Sequence, residues 1–476
     1  RPRLLIPPRG PVLGASGGRC YHHPVMNIYV TSVGCKLNQA EMEDVARRAL
    51  AAGQAVVQDP ALADWAVVNT CAVTHVAARK CRQLIRGLRR RHPSLRIAVT
   101  GCYVGAPDGA LAELEGIDLL VPNGEKEEVL ARILAAAGEP QPQAPGVSPP
   151  AACPTPLPGG HTRAFVKIQD GCDNRCTYCY VRLARGAQRS RAPEDVLAEI
   201  RRRLDEGYRE VVLTGVHIGA YGRDSAPGAP LPAAAGWSLA RLVGEVLART
   251  DVPRLRLSSI EPWDLDEALL GLLSHPRLCR HVHLPVQSGS DRVLRRMGRP
   301  YDVAYLVDLA ARLRARAPEV SLTTDLMVGF PGETDADAAA THDLAERLAL
   351  SRLHVFTYSP RPGTPAAEMP GRVAPPVAAA RSRALIDLGR RLAEAYHARF
   401  VGRTLDVLCE TVEMGEGGAL WSGLSDNYCR VWAPAPNGPG APESLANRLV
   451  RVRCLSADAA GLRGEILAYS DSPDTR

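Results

Sequence analysis

Three short apolar runs near the start of the chain each end on a cysteine, and a helical stretch follows each of the first two. They are "NIYVTSVGC" ending at Cys35, "WAVVNTC" ending at Cys71 and "RIAVTGC" ending at Cys102. β-rich runs that alternate with helical stretches predict parallel βαβ units, each needing roughly 30 or more residues. The cysteine separations, 36 and 31 residues, match one unit apiece. Open α/β sheets gather their ligands at the carboxyl ends of the strands. Three thiols distant in sequence are therefore expected at one sheet edge.

The alternation resumes after "EPQPQAPGVSPPAACPTPLPGG", a Pro-rich stretch too poor in apolar residues to pack. Six candidate strands follow: "AFVKI", "EVVLTG", "RLRLSSI", "HVHLPV", "SLTTDLMVGF" and "RLHVFTYS". Six strand–helix repeats predict an incomplete, open (β/α)6 barrel with its site at the C-terminal mouth. Short alternating strands such as "TLDVLCETV" and "RLVRVRCLSAD" close the chain and predict a small all-β barrel. The expected fold class is α/β. Its parts are a leader over 1–25 that reads as disordered, an open parallel α/β domain over 26–138, and a linker over 139–161. The (β/α)6 barrel over 162–400 and the β-barrel over 401–470 complete it.

Composition excludes little. Hydrophobic residues make up 46%, and no run approaches the ~20 apolar residues of a membrane helix. With no apolar signal region, a cytoplasmic location is expected. The net charge is +7, and "RKCRQLIRGLRRRHPSLR" carries no acid, with Arg82, Arg86 and Arg89 on one helical face. That face reads as solvated surface or as a phosphate-binding surface. In the last region Trp421, Tyr428 and Trp432 read as barrel core or as platforms for bases. Thirteen cysteines in a chain without a secretion signal point to metal or catalytic chemistry rather than disulfides. Cys20, Cys153, Cys409 and Cys454 read as plain, and Cys81, inside a helix, as non-ligating.

"GCDNRCTYC" follows the first barrel strand directly and holds Cys172, Cys176 and Cys179. Close thiolates bind zinc, an iron–sulfur cluster or nothing. Structural zinc wants four ligands, and no second C-x2-C arm or suitable histidine follows. Three cysteines on a four-iron cluster leave one iron open for a substrate.

The C-x3-C-x2-C spacing resembles the radical S-adenosylmethionine superfamily. The resemblance implies a [4Fe-4S] cluster on Cys172, Cys176 and Cys179 that cleaves S-adenosylmethionine to a 5′-deoxyadenosyl radical. It implies cofactor contacts at Tyr178, Thr214, Gly215, Ser259, Glu261 and Gln287. The domain order resembles the methylthiotransferases, with a TRAM-like RNA-binding barrel at the C-terminus. In that family Cys35, Cys71 and Cys102 would carry a second [4Fe-4S] cluster presenting sulfur, with one S-adenosylmethionine as radical source and another as methyl donor. "SVGCKLNQAE" and "VNTCAVTHVAARKCRQ" resemble the branch acting on N6-threonylcarbamoyladenosine at position 37 of tRNA. The branches for isopentenyladenosine (Gln-Met-Asn after the first cysteine) and for a ribosomal protein (Gly-Phe-Ile after the second) match less well. The expected partners are the tRNA anticodon arm, guided by the basic helix and by Arg182, Arg185, Arg189 and Arg191, and a low-potential electron donor; no membrane partner is expected. The alternatives are the isopentenyladenosine enzyme and a non-catalytic RNA-binding iron–sulfur protein.

Overall fold

The computed structural model describes residues 25–106, 111, 113–138, 162–224, 234–415, 418–435 and 444–469. Nearly all of the 1–25 leader, the linker, Cys20 and Cys153 lie outside them. In the N-terminal unit, strands β1 (Asn27–Ser32), β2 (Ala55–Val57), β3 (Trp65–Thr70), β4 (Arg96–Gly101) and β5 (Leu119–Leu120) form one parallel sheet in the order β2-β1-β3-β4-β5. Helices α1 (Lys36–Ala51), α2 (His75–Arg91) and α3 (Val129–Ala136) pack on it. β3 is buried along its whole length, as a central strand of a parallel sheet with both faces covered must be. α2 starts where the Thr74 side chain accepts the Ala77 N–H.

Next come β6 (Ala164–Lys167), β7 (Gln169–Asp170), α4 (Val181–Arg185), β8 (Arg189–Ser190), α5 (Pro193–Asp205), β9 (Glu210–Thr214), α6 (Leu239–Arg249), β10 (Arg254–Leu257) and α7 (Glu267–Leu272). β11 (His281–Gln287), α8 (Asp291–Met297), α9 (Val303–Arg316), β12 (Ser321–Val328), α10 (Asp335–Arg347), β13 (Arg352–Thr357) and α11 (Pro375–Ala398) follow. The six expected strands are all present, as two parallel sheets, β10-β9-β6 and β11-β12-β13. Ladder pairing stops between β10 and β11. That seam is held instead by Leu255 N–H on Arg277 O (2.7 Å), Cys279 N–H on Leu255 O (2.8 Å) and Ile260 N–H on His283 O (3.0 Å). One apolar core runs behind both sheets.

The chain ends in β14 (Thr404–Gly415), β15 (Gly418–Ser425), β16 (Arg430–Pro434), β17 (Leu449–Ala457) and β18 (Leu462–Tyr469). They close into a barrel in the order β14-β15-β16-β18-β17. Closure removes the free sheet edges. Among the described residues no helix is long and apolar enough to cross a membrane.

Candidate active site

Cys35 caps α1 just past β1, Cys71 follows β3 and Cys102 follows β4. Two glycines let these loops close. Gly34 has φ +126°, and a Cβ there would lie 2.8 Å from the Cβ of Cys71. Gly101 has φ +100°, and a Cβ there would run into Asn69 Oδ1 and Thr70 O. Burial pushes the Cys71 thiol up to about 12, against a backbone hydrogen bond at Val73 and with Cys102 and Cys35 adding to the rise. Burial likewise raises Cys102, while Arg185 opposes the shift. Cys81 sits in the wall, its sulfur facing the Cys71 N–H (3.3 Å) and O (3.6 Å).

The second trio lies over the mouth of the large barrel. Gly171 turns the chain at φ +70°, where a Cβ would collide with the backbone of Ala187. Cys172 Sγ accepts the Asn174 N–H (3.4 Å), and Cys176 Sγ accepts from Arg299 Nη1 (3.3 Å). Burial pushes the Cys179 thiol up to about 12, eased by the backbone at Val181 and reinforced by Cys176 and Cys172. Thr177 anchors the loop on α8, its N–H on Met297 O and its hydroxyl on Arg296 O, both at 2.9 Å. Tyr178 packs against Val293, Met297, Phe330 and Ala366.

Three thiolates on a four-iron cluster leave one iron open, so each trio suits such a cluster.

The outer residues expected at the mouth are distributed unevenly. Thr214 ends β9, buried, with its carbonyl taken by the Ile168 N–H (2.9 Å). At Gly215 a Cβ would lie 2.8 Å from Gln169 O, and Gln169 Oε1 accepts the N–H groups of Val216 (3.1 Å) and His217 (2.8 Å). Gln287 is buried at φ +69°, beside a bulge in the β11–β12 register. A non-glycine residue held there marks local strain of the kind that clusters at ligand sites. Ser259 is exposed. Glu261 is paired with Arg299, whose guanidinium also lies 4.8 Å over the Trp263 ring.

Two residues escaped the sequence reading. His217 Nε2 meets Asp264 Oδ2 at 2.5 Å, and its Nδ1 lies 3.8 Å from Cys172 Sγ. Burial disfavours its charge, yet Asp264 and the Cys172 sulfur raise it to about 9. Arg299 is the other, donating to Cys176 while paired with Glu261. The only sequence signals were "GVHIG" after a strand and one arginine among many.

Arg185 links Cys102 to Asp170, two residues ahead of Cys172. Its Nε donates to Cys102 Sγ (3.2 Å), its Nη1 to Glu41 Oε1 and Asp170 Oδ1 (both 2.9 Å), and its Nη2 to Asn38 Oδ1 (2.7 Å). Lys126 Nζ bridges the same carboxylates, at 2.5 Å and 2.7 Å. Burial works against the Glu41 charge, but Arg185 and the two lysines hold its carboxyl down at about 2. The same cations hold Asp170 well below the carboxylate range.

This corrects the RNA-guiding set. Arg185 is buried and fully engaged, and Arg191 donates to Lys167 O (2.7 Å) and Glu199 (2.5 Å); Arg182 and Arg189 stay exposed. On α2, Arg82 is turned onto Tyr103 and Arg89 onto Gly116 O (2.9 Å) and Asp118. The exposed basic stripe is Arg79, Arg86 and Arg90. In the small barrel Trp421 packs on the core. Tyr428 stacks on His281 (4.2 Å, 10°), and Trp432 is half-buried, donating to Glu413 (3.0 Å).

Residues 166–345 match the radical SAM superfamily model and residues 27–122 an uncharacterized protein family (UPF0004). The chain is 38% identical to the threonylcarbamoyladenosine tRNA methylthiotransferase MtaB of Thermotoga maritima, over 85% of this chain and 90% of the relative. It is 34% identical to MtaB of Bacillus subtilis, over 90% and 93%. It is also 34% identical to the tRNA-2-methylthio-N(6)-dimethylallyladenosine synthase of Moorella thermoacetica, over 92% and 98%. Among solved structures, the radical S-adenosylmethionine methyltransferase TsrM of Kitasatospora setae shares the fold, with a TM-score of 0.53 at 17% identity over 72% of this chain and 75% of that one.

Proposed function

The chain belongs to the radical S-adenosylmethionine tRNA methylthiotransferases, and on that premise we propose that it converts N6-threonylcarbamoyladenosine at position 37 of tRNA to its 2-methylthio derivative. The observation that carries the reading is the pair of three-thiol sets, with Arg185 linking Cys102 to Asp170, two residues ahead of Cys172. One set suffices to start radical chemistry; a second, at a neighbouring strand-end edge, is what sulfur insertion adds. The substrate branch rests on the MtaB relatives and on the residues around Cys35 and Cys71.

Clusters of this class, with S-adenosylmethionine, supply when bound the one-electron chemistry, the sulfur and the methyl group. Cys172, Cys176 and Cys179 would hold one, and Cys35, Cys71 and Cys102 the other. The chain's own groups set their surroundings. Arg299 and His217 place positive charge beside the Cys172, Cys176 and Cys179 set, and Arg185 beside Cys102. Tyr178, Thr214, Gly215, Ser259, Glu261 and Gln287 would line the S-adenosylmethionine site, with Glu261 oriented by Arg299. Arg79, Arg86 and Arg90, with Arg182 and Arg189, would meet the phosphates of the anticodon arm, whose unpaired loop presents its base without melting a helix. Work on tRNA implies the cytoplasm and a low-potential electron donor there. A second reading, the isopentenyladenosine branch, is favoured by the Moorella relative alone among those described above.

Nucleoside mass spectrometry of tRNA from a deletion strain and its complemented counterpart tests the substrate. The 2-methylthio-threonylcarbamoyl nucleoside should vanish and return. If it persists while the methylthio-isopentenyl nucleoside disappears, the second reading replaces the first.

A further inference from the structure

A further group of metal-ligating side chains lies away from both cysteine sets, on the lumen face of the large barrel. Side chains alternate along each strand. Val282, Leu284, Leu322, Leu326, Leu353 and Val355 face the apolar core behind the sheet. His283, Asp325 and His354 therefore project from the opposite face of β11, β12 and β13. Asp325 and His354 are partners in the β12–β13 register.

Their donor atoms converge. His283 Nε2 and His354 Nδ1 each lie 3.3 Å from Asp325 Oδ1, and one ligand atom from each residue falls within 4.8 Å of the others. A charge-assisted N–H···O bond would close to about 2.7–2.9 Å. A divalent ion with metal–ligand distances of about 2.1 Å sets neighbouring donors about 3.0–3.4 Å apart, from octahedral to tetrahedral geometry. The 3.3 Å spacing falls within the range for ligands around an ion. The outer shell agrees: His283 Nδ1 is 2.8 Å from Thr323 Oγ1. Thr323 Oγ1 also meets His281 Nε2 at 3.0 Å, and in the tautomer where it accepts the His283 Nδ1 proton, Nε2 turns its lone pair toward Asp325, as in metal-bound histidines. The neighbouring Arg256 is neutralised by Glu210 at 2.6 Å.

We propose that His283, Asp325 and His354 form a mononuclear site for a first-row divalent cation. Two imidazoles and one carboxylate form the facial donor set that such ions accept, with open positions for oxygen ligands. Filled, it carries one net positive charge on the lumen wall, suited to water or a carboxylate oxygen. The proposal does not depend on which nucleoside the enzyme modifies.

The test is Zn2+ retention by the full chain with both cysteine sets loaded, measured by anaerobic equilibrium dialysis and metal analysis. Mn2+, which disfavours thiolates, serves as a second probe. Wild type should retain one equivalent, and Asp325→Asn and His354→Ala should each weaken binding at least tenfold with iron content unchanged. His354 is 40% exposed, so its truncation leaves the fold intact. No retained equivalent in wild type, or retention that survives both substitutions, overturns the proposal.

Discussion

Replacing Arg185 by Met removes the cation shared by Glu41, Asp170 and Cys102 while keeping most of the side chain's volume. Glu41 is held at about 2 against an unfolded value of about 4.3. At 1.36 kcal/mol per pKa unit, that difference corresponds to about 3 kcal/mol of stabilisation at neutral pH. Removing one partner of a buried ion pair costs about 3–5 kcal/mol in general. Lys126 and Lys167 still face the carboxylates, so the lower figure is expected, about a hundredfold in the unfolding equilibrium. The sign with pH follows from a depressed carboxylate. Its stabilisation is complete above about 4.3 and lost as pH falls through about 2. The variant should therefore differ most from wild type at pH 7 and converge with it in acid. The assay is urea unfolding of the full chain at pH 7 and pH 3, with Arg185→Lys as the charge-conserving control. Equal midpoints for wild type and Arg185→Met at pH 7 would refute the reasoning.

Gly101→Ala places a methyl against Asn69 and Thr70, so iron loading at Cys102 should fall several-fold while loading at Cys172 persists, as spectroscopy of each cluster would show. Asp264→Asn removes the partner that keeps His217 near 9; stabilisation from that raised value is complete below about 6.5 and fades as pH rises through 9. The variant, which also loses the Arg223 pair, should thus lose more stability against wild type at pH 6 than above pH 10, as urea midpoints would report. Reversing Arg79, Arg86 and Arg90 to Glu should weaken tRNA binding uniformly across sequences and flatten its salt dependence by about 0.9 for each phosphate no longer neutralised. An unchanged slope in filter binding would remove α2 from the interface.

Much of the fold was legible because it rests on local signals. β3 and β4 end at the threonine or glycine before their cysteines, and β1 ends at Ser32, three residues before Cys35. The six barrel strands were equally visible, but the seam at Leu255 was not, since the run "RLRLSSI" carries no mark of where its ladder stops. Side-chain fates were the least readable. Arg185 and Arg182 lie one helical turn apart, yet one is locked in a carboxylate cage and the other faces solvent. Glu41, Asp170 and Lys126, from three distant segments, decide that, and no local pattern announces them. Tyr428 read as barrel core or as a base platform, and no local pattern announced that His281, from another unit, stacks on its face.

The central claim is two clusters with separate tasks. Iron and acid-labile sulfide counted after anaerobic reconstitution and a chelator wash test it most directly, alongside S-adenosylmethionine cleavage. Wild type should hold about eight of each. Cys71→Ala should fall toward four and keep cleavage while losing sulfur insertion, whereas Cys172→Ala should lose cleavage and product together. About four irons in wild type, or loss of cleavage in Cys71→Ala, would contradict the account.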